Sequence, residues 1–313
     1  RMALCYPDLY EIGMSYYGHF LLYELANSLE GVWCERAFAP WADMEAYLRT
    51  RSLPLVTLES KTPLGQMDLV GFSMTYELNV TNALNMIDLA GIPLRAGDRG
   101  GKDPLVVAGG PLVLNPRPFE RFFDLMGVGE GEAPLTSILT VLREMKGEGR
   151  SDIVRQLARI EGVYAPGVTD GRVKRVFVAD LDESFHPLAP PMPVVGSVHN
   201  RLNVEVSRGC GNGCRFCLAG FGYRPYRERS FERVREIVDQ SLARTGYEEV
   251  SLLSLTAGDY SDLFRTIAYI KEKEREASAL DWINEIQTQV GAESMTPEEC
   301  ERLLLVLSRL PET

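Results

Sequence analysis

The sequence predicts an α/β protein with a doubly wound parallel sheet in front and a partial, truncated β/α barrel behind. Three observations carry this prediction. The chain has 313 residues, more than one hydrophobic core usually organises. Over residues 1–150, short continuous apolar runs alternate with segments of helical period, as parallel strands and their crossover helices do. The same alternation starts again at residue 201, after a proline-rich stretch.

The elements follow in order. "MALCYP" is an apolar strand closed by Pro7, and "YYGHFLLYELANSL" is a helix with Phe20, Leu21, Tyr23, Leu25 and Leu29 suited to a buried stripe. "VWCERAF" predicts a second strand and "WADMEAYLRT" a second helix. "DLVGFSM" is the unbroken apolar run of a strand covered on both faces, and "NVTNALNMIDLAG" a helix ended by Gly91. "DPLVVAGGP" is a strand stopped by Gly109, Gly110 and Pro111. "FFDLMGVGEGE" gives a fifth strand with its turn, and "APLTSILTVLREMK" the helix after it. Residues 151–195 change in texture. There "GVYAPGVTDGRVKRVFVADL" predicts a hairpin around Asp170-Gly171, and "HPLAPPMPVVGS" a linker that sets the domain boundary near residue 195.

The second domain, 196–313, opens on the strand "RLNVEVSRG". The helix "FERVREIVDQSLARTG", the strand "EEVSLLSL" and the helix "SDLFRTIAYIKEKERE" follow. Last come the strand "INEIQTQVG" and the helix "TPEECERLLLVLSRL", with Thr296 as N-cap and Pro297 at its first position. A complete eight-unit barrel needs ~200 or more residues, so only part of one fits. The chain opens directly on a strand and stops just after a helical pattern, so the rest of the barrel is expected outside it.

Composition narrows the class. Hydrophobic residues make up 45% and charged residues 25%, ordinary values for a globular protein. The formal net charge of -11 disfavours a broad electrostatic grip on nucleic acid. No apolar run approaches the ~18 residues of a membrane span. Asp8 and Glu11 come too early for a signal peptide, so a cytoplasmic location without membrane attachment is expected. In that compartment clustered cysteines read as metal or redox sites.

Three of the six cysteines lie in "SRGCGNGCRFCLAGFGYRPYRERS", residues 207–230. Cys210, Cys214 and Cys217 have the spacing C-x3-C-x2-C and follow a predicted strand, at the end where β/α folds hold their sites. A 4Fe-4S cube normally takes four thiolates, so three would leave one iron open to a chelating substrate. Gly209, Gly211 and Gly213 would let backbone wrap a bulky cofactor, with Arg208 and Arg215 offsetting its charge. A structural zinc site is the alternative, but no second C-x2-C pair is present, and the nearest histidine is His199 in the linker. Cys5, Cys34 and Cys300 read as ordinary buried cysteines.

This stretch resembles the cluster loop of radical S-adenosylmethionine (SAM) enzymes, with Phe216 directly before the third cysteine as is usual there. The resemblance implies a 4Fe-4S cluster on the three cysteines and SAM chelated at the open iron. It also implies reductive cleavage to a 5′-deoxyadenosyl radical, an electron donor such as flavodoxin or ferredoxin, and a radical SAM β/α barrel. In that family the second strand commonly ends in a Gly-Gly-Glu motif that receives the SAM amino group. Here "LLSLTAGDY" departs from it, leaving Gly258 and Asp259 as candidates, or as a simple turn. Tyr223, Arg224, Tyr226, Arg227 and Arg229 are candidates to bind a carboxylate or phosphate, or else form a solvated basic start to a helix.

The segments "YPDLYEIGMSYYG", "VGFSMTYELN", "VVAGGPLVLNPRPF" and "GVGEGEAPL" resemble the N-terminal halves of cobalamin-binding-domain radical SAM proteins, an uncharacterised subfamily being the nearest likeness. The resemblance implies a Rossmann-like sheet and makes cobalamin a candidate cofactor. Ser73, Gly109, Gly110, Gly129 and Glu130, at strand ends, are its expected contacts. The Asp-x-His-x-x-Gly motif that supplies a cobalt ligand in many cobalamin domains is absent. His19 reads as a helix residue, while His186 and His199 flank the linker. A sheet that has lost the ligand is therefore the alternative. "GVGEGE" follows the fifth strand rather than the first, which argues against a dinucleotide.

The expected protein is a radical SAM enzyme acting on a small molecule or RNA, with methyl transfer as its reaction if cobalamin is bound. Two alternatives stand beside it. One is an RNA- or tRNA-modifying radical SAM enzyme without cobalamin, suggested by the basic stretch 224–235. The other is a non-catalytic iron-sulfur or zinc-binding interaction protein.

Overall fold

The computed structural model describes residues 1–196 and 198–275. The five strands expected in the first domain form as β1 (Met2–Tyr6), β2 (Cys34–Phe38), β3 (Leu69–Ser73), β4 (Leu105–Gly109) and β5 (Leu125–Gly127). All pair in parallel with their neighbours. Between them run α1 (Tyr10–Gly13), α2 (Tyr17–Asn27), α3 (Ala42–Thr50) and α4 (Asn79–Leu89). After β5 come α5 (Glu132–Glu144), α6 (Arg150–Leu157) and β6 (Val163–Tyr164).

Strand periodicity sorts the core into two layers. Ala3, Cys5, Val70, Phe72, Val106 and Ala108 meet Ala83, Met86 and Ile87 of α4. Met2, Leu4, Leu69, Leu105 and Val107 face the other way and meet Ala26 of α2, Ile138 and Leu139 of α5 and Leu157 of α6. Fully burying such a side chain contributes roughly 1.5–3 kcal/mol, which is why runs with no polar position become central strands. The strand order is β2-β1-β3-β4-β5-β6. It reverses between β1 and β3, whose following helices lie on opposite faces, so a crevice opens above the carboxyl ends of those strands.

The expected hairpin around Asp170-Gly171 does not form. Val163–Tyr164 pairs antiparallel with β5 as an edge strand, so the sheet extends past residue 150. Val176 makes a parallel bridge to Gly129 instead. Backbone valency decides this: the exposed side of β5 and its loop needs partners, and both segments supply them.

In the second domain β7 (Leu202–Glu205) leads through β8 (Ser207–Arg208), α7 (Ala219–Gly222) and β9 (Arg227–Glu228) to α8 (Phe231–Arg244) and β10 (Val250–Leu253). The Ser230 side chain caps α8 by accepting from Arg233 N at 3.2 Å. Val234, Ile237 and Val238 of α8 pack on Leu202, Val204 and Val206. β10 returns parallel beside β7, which makes one βαβ unit of a barrel. Helical backbone follows over 263–275. The expected strand "INEIQTQVG" and the helix "TPEECERLLLVLSRL", with Thr296, Pro297 and Cys300, lie outside the described residues. Among the described residues no helix is long and apolar enough to cross a membrane.

Candidate functional site

The cysteine loop is a closed excursion. It leaves at Arg208 and returns at Arg227, which stand opposite each other in the antiparallel β8–β9 pair. Gly209 has φ +89, and a Cβ there would lie 2.4 Å from the Pro225 carbonyl oxygen, so only glycine lets the two legs cross. Cys210 is buried, Cys217 half-buried and Cys214 exposed. Asn212 N donates to Cys210 Sγ at 3.5 Å, and Gly220 N donates to Cys217 Sγ at 3.4 Å. Backbone N–H groups aimed at sulfur suit thiolates that carry an iron-sulfur cluster.

Among the described residues no three His, Cys, Asp or Glu side chains converge on a point that could hold one metal ion. The three thiols are therefore not gathered as a single zinc would gather them, at about 2.3 Å each. Three cysteine thiolates within eight residues are a donor set that an iron-sulfur cube can take, each on its own iron.

The Gly258–Asp259 turn follows β10 within a short 3-10 segment and reaches this loop, where Asp259 Oδ2 accepts from Asn212 Nδ2 at 3.2 Å. Phe216, in the cysteine loop, is 92% exposed.

Below the loop lies a cavity of about 580 Å³ between the sheet's carboxyl edge and the barrel strands. Ser73, Gly109, Gly110, Gly129 and Glu130 all line it, as do Gly209 and Tyr223 of the cysteine loop. The cysteines, Phe216, Gly258, Asp259 and Arg227 are not lining residues. An apolar arm runs under the sheet, with Leu4, Gly71 and Val107 on one wall and Leu21, Leu22, Leu135 and Ile138 on the other. A Cβ on Gly71 would meet Met2 Cε at 3.2 Å, so glycine keeps this wall low. The opposite, polar wall carries Asn203, Glu205, Ser207 and Ser251.

The strand-end glycines line the cavity and differ in how much room they leave. Only Gly109 is open, with nothing within 4 Å of its Cβ position. At Gly110 (φ +108) a Cβ would lie 2.5 Å from the Met74 carbonyl oxygen, and at Gly129 (φ +118) it would overlap that of Val176, so both glycines also allow backbone crossings. His19 does not line the cavity. It is fully buried against Tyr6 and Phe38, with neither ring nitrogen hydrogen-bonded. His19 therefore offers no ligand to anything bound in the cavity.

Two expected contacts are committed elsewhere. Glu130 Oε1 accepts from Arg227 Nη2 at 2.7 Å, and Glu130 Oε2 accepts from Arg208 Nη1 at 2.9 Å and from Val178 N at 2.8 Å. Burial alone would raise the Glu130 pKa, but Arg227 and Arg208 hold it below the usual carboxylate range. Arg227 and Glu130 thus satisfy each other across the domain boundary, where cofactor contacts were expected. Arg208 also grips Glu205 with two nitrogens, at 2.8 and 2.9 Å, and Glu132 at 2.7 Å. Burial opposes its charge, but these carboxylates outweigh burial and raise its pKa. Arg208 therefore joins the domains and does not offset cluster charge. Arg229 is fully buried on Glu205 and Ser184, so the stretch around it is not a solvated basic helix start.

Glu132 lies in the polar turn of residues 129–132, while Glu205 is a site residue that the motifs do not point to. A signal for Glu205 was present: Asn203, Glu205 and Ser207 alternate with Leu202, Val204 and Val206, a polar face within a buried strand.

With this geometry in place, the comparisons agree on a family. Residues 18–166 match the model for radical SAM proteins, N-terminal, and residues 204–308 match the radical SAM superfamily. The chain belongs to the radical SAM proteins, a family of enzymes.

It is 26% identical over 261 residues to an uncharacterized protein of Methanocaldococcus jannaschii, covering 83% of this chain and 50% of that one. A stretch of 59 residues is 42% identical to the tRNA-2-methylthio-N(6)-dimethylallyladenosine synthase of Chlorobium phaeobacteroides, covering 19% of this chain and 13% of the synthase.

In fold it is similar to the radical SAM methyltransferase TsrM of Kitasatospora setae, solved with cobalamin and a 4Fe-4S cluster bound. The TM-score is 0.54 at 16% identity, covering 87% of this chain and 51% of TsrM. A second TsrM structure, with tryptophan and a SAM analogue, gives 0.52 at 16% identity, over 88% and 51%. The chain spans about half the length of TsrM and of the archaeal relative.

Proposed function

We propose that this chain forms the cofactor-binding part of a cobalamin-dependent radical SAM enzyme that transfers a methyl group to an unreactive carbon. Cys210, Cys214 and Cys217 hold a 4Fe-4S cluster, and Asp259 stands beside the loop to receive the SAM amino group. When bound, the cluster and SAM supply reductive cleavage of the sulfonium, and cobalamin supplies a methyl carrier. The protein's own part is positioning and exclusion of water. Asn212 N and Gly220 N support two of the thiolates, and the apolar arm takes a flat aromatic tail. Asn203, Glu205 and Ser251 offer polar contacts to whatever occupies the barrel side.

One observation carries the cobalamin part. A single cavity is lined both by the strand-end residues of the sheet and by Gly209 and Tyr223 of the cysteine loop, and its many apolar lining residues suit a large, flat cofactor better than a phosphate. An RNA substrate is the second reading, favoured by the 59-residue likeness to a tRNA-modifying synthase. Of the basic stretch, Arg227 and Arg229 are turned inward onto Glu130 and Glu205 and Arg233 pairs with Glu236, while Arg224 and Arg235 are exposed.

The test is anaerobic reconstitution with iron and sulfide, followed by absorption spectra with and without hydroxocobalamin and removal of unbound corrin by gel filtration. Corrin bands that co-elute with the protein are expected. Widening the Gly71 wall with Gly71→Leu should reduce the retained corrin about tenfold or more, by filling the arm. Protein that elutes free of corrin would remove cobalamin from the proposal and leave radical SAM chemistry without it.

A further inference from the structure

We infer that Glu130, a residue of the first domain, is the positioning residue that closes the neck of the cysteine loop in the second. This rests on the reading of residues 210–217 as a cluster loop. Arg208 and Arg227 are the strand residues on either side of that loop, and they are direct partners in the β8–β9 ladder. Two like charges opposite each other on an antiparallel pair push the strands apart. The pair is also short, with two residues in each strand, so backbone bonds alone hold it weakly.

Glu130 resolves the conflict. Its Oε2 accepts from Arg208 Nη1 at 2.9 Å and from Arg227 Nη1 at 3.1 Å, while Oε1 accepts from Arg227 Nη2 at 2.7 Å. One carboxylate thus spans both legs of the loop. The three side chains are 5%, 10% and 8% exposed, so water does not screen them. Arg208 has further carboxylates in Glu132 and Glu205, whereas among the described residues Arg227 pairs with no carboxylate but Glu130. The carboxylate is itself held in place. Val178 N donates to Oε2 at 2.8 Å, and Glu130 N donates to the Val176 carbonyl at 3.0 Å. Glu130 also lines the cavity. The neck of the loop and the floor of the cavity therefore share one side chain.

Cys210 reports on this neck. It is 9% exposed and sits two residues beyond Arg208, while Cys214 is exposed and Cys5 and Cys34 are buried in the sheet. In the metal-free full chain, maleimide labelling read by peptide mass spectrometry should modify Cys214 quickly and Cys210 slowly. In Glu130→Gln, labelling of Cys210 is expected to rise about tenfold, since breaking a buried ion pair strands its partner's charge. Cys5 and Cys34 should stay unlabelled, which excludes general unfolding. The double variant Glu130→Gln/Arg227→Gln removes one of the facing charges and should return Cys210 to within about threefold of the parent rate.

The same three proteins, after anaerobic reconstitution, should lose iron to a chelator in the same order. Unchanged Cys210 labelling in Glu130→Gln, or a double variant as open as the single one, would overturn the inference. Should Glu130→Gln not fold, a double variant that folds with Cys210 protected supports the inference, and one that folds with Cys210 open or does not fold overturns it. Failure of the parent chain to take up iron would instead count against the cluster reading, because the labelling is measured without metal.

Discussion

Replacing any one of Cys210, Cys214 and Cys217 by alanine should leave 5′-deoxyadenosine at the level of a protein-free control, after reconstitution and reduction with SAM present. Three thiolates are the smallest set that anchors a cube while leaving one iron for a substrate, and two anchors do not fix its orientation. No other cysteine among the described residues can substitute. Cys5 and Cys34 lie within β1 and β2, and burial pushes both thiols up, so they stay protonated and unreactive. Cys34→Ala is therefore expected to keep its cluster and its cleavage activity. Iron, sulfide and deoxyadenosine, measured side by side for the four variants, check this. Substantial cleavage by Cys214→Ala would contradict it most sharply, because exposed Cys214 is the ligand with the least structural role besides.

The second large effect concerns acid stability. His19→Phe should raise the melting temperature at pH 7 and weaken its fall towards pH 5. Burial among Tyr6 and Phe38, with Arg36 nearby, lowers the His19 pKa from 6.5 to about 3. A histidine depressed in this way is protonated first in the unfolded chain. Stability is thus lost as pH falls below about 6.5 and continues to fall until about 3. At pH 5 the loss from this residue is about 2 kcal/mol. His186 adds a similar term, because burial beside Arg229 and Arg233 lowers it to about 3, and its Nδ1 is bonded to Tyr17 Oη at 2.9 Å.

Glu130 acts in the same direction but in a lower window, since its depressed pKa costs stability only as pH falls through the ordinary carboxylate value of 4.5 and below. At pH 5 the histidines dominate. The phenylalanine ring also relieves two buried nitrogens without partners, worth about 1–2 kcal/mol at any pH. Thermal unfolding at pH 7 and pH 5 reads both parts. A variant as acid-labile as the parent would show that His19 is not the sensitive group.

The central parallel strands β1, β3 and β4 were legible because each is an unbroken apolar run, whereas β2 carries Glu35 and Arg36 and was placed by its position in the strand-helix alternation. The helix Arg150–Leu157 was passed over although Ile153, Val154 and Leu157 carry its apolar face, because a short polar helix gives a weak periodic signal. The hairpin expected at Asp170-Gly171 rested on local turn chemistry, and long-range pairing of Val176 with Gly129 overrode it.

In the site, the cysteine spacing was local and could be read directly. The roles of Arg208, Arg227 and Glu130 were not, because their partners are 78 and 97 residues apart in sequence. Charges that look free in one dimension are paired in three. The same holds for Gly110 and Gly129, whose positive φ serves backbone crossings with segments distant in sequence.

The central claim is that three cysteines leave one iron of a cluster open to SAM. Electron paramagnetic resonance of the reduced, reconstituted protein tests it most directly. A 4Fe-4S signal whose g values shift on adding SAM is the predicted result. A reduced cluster whose spectrum is indifferent to SAM, or bound zinc with no iron signal at all, would contradict the account.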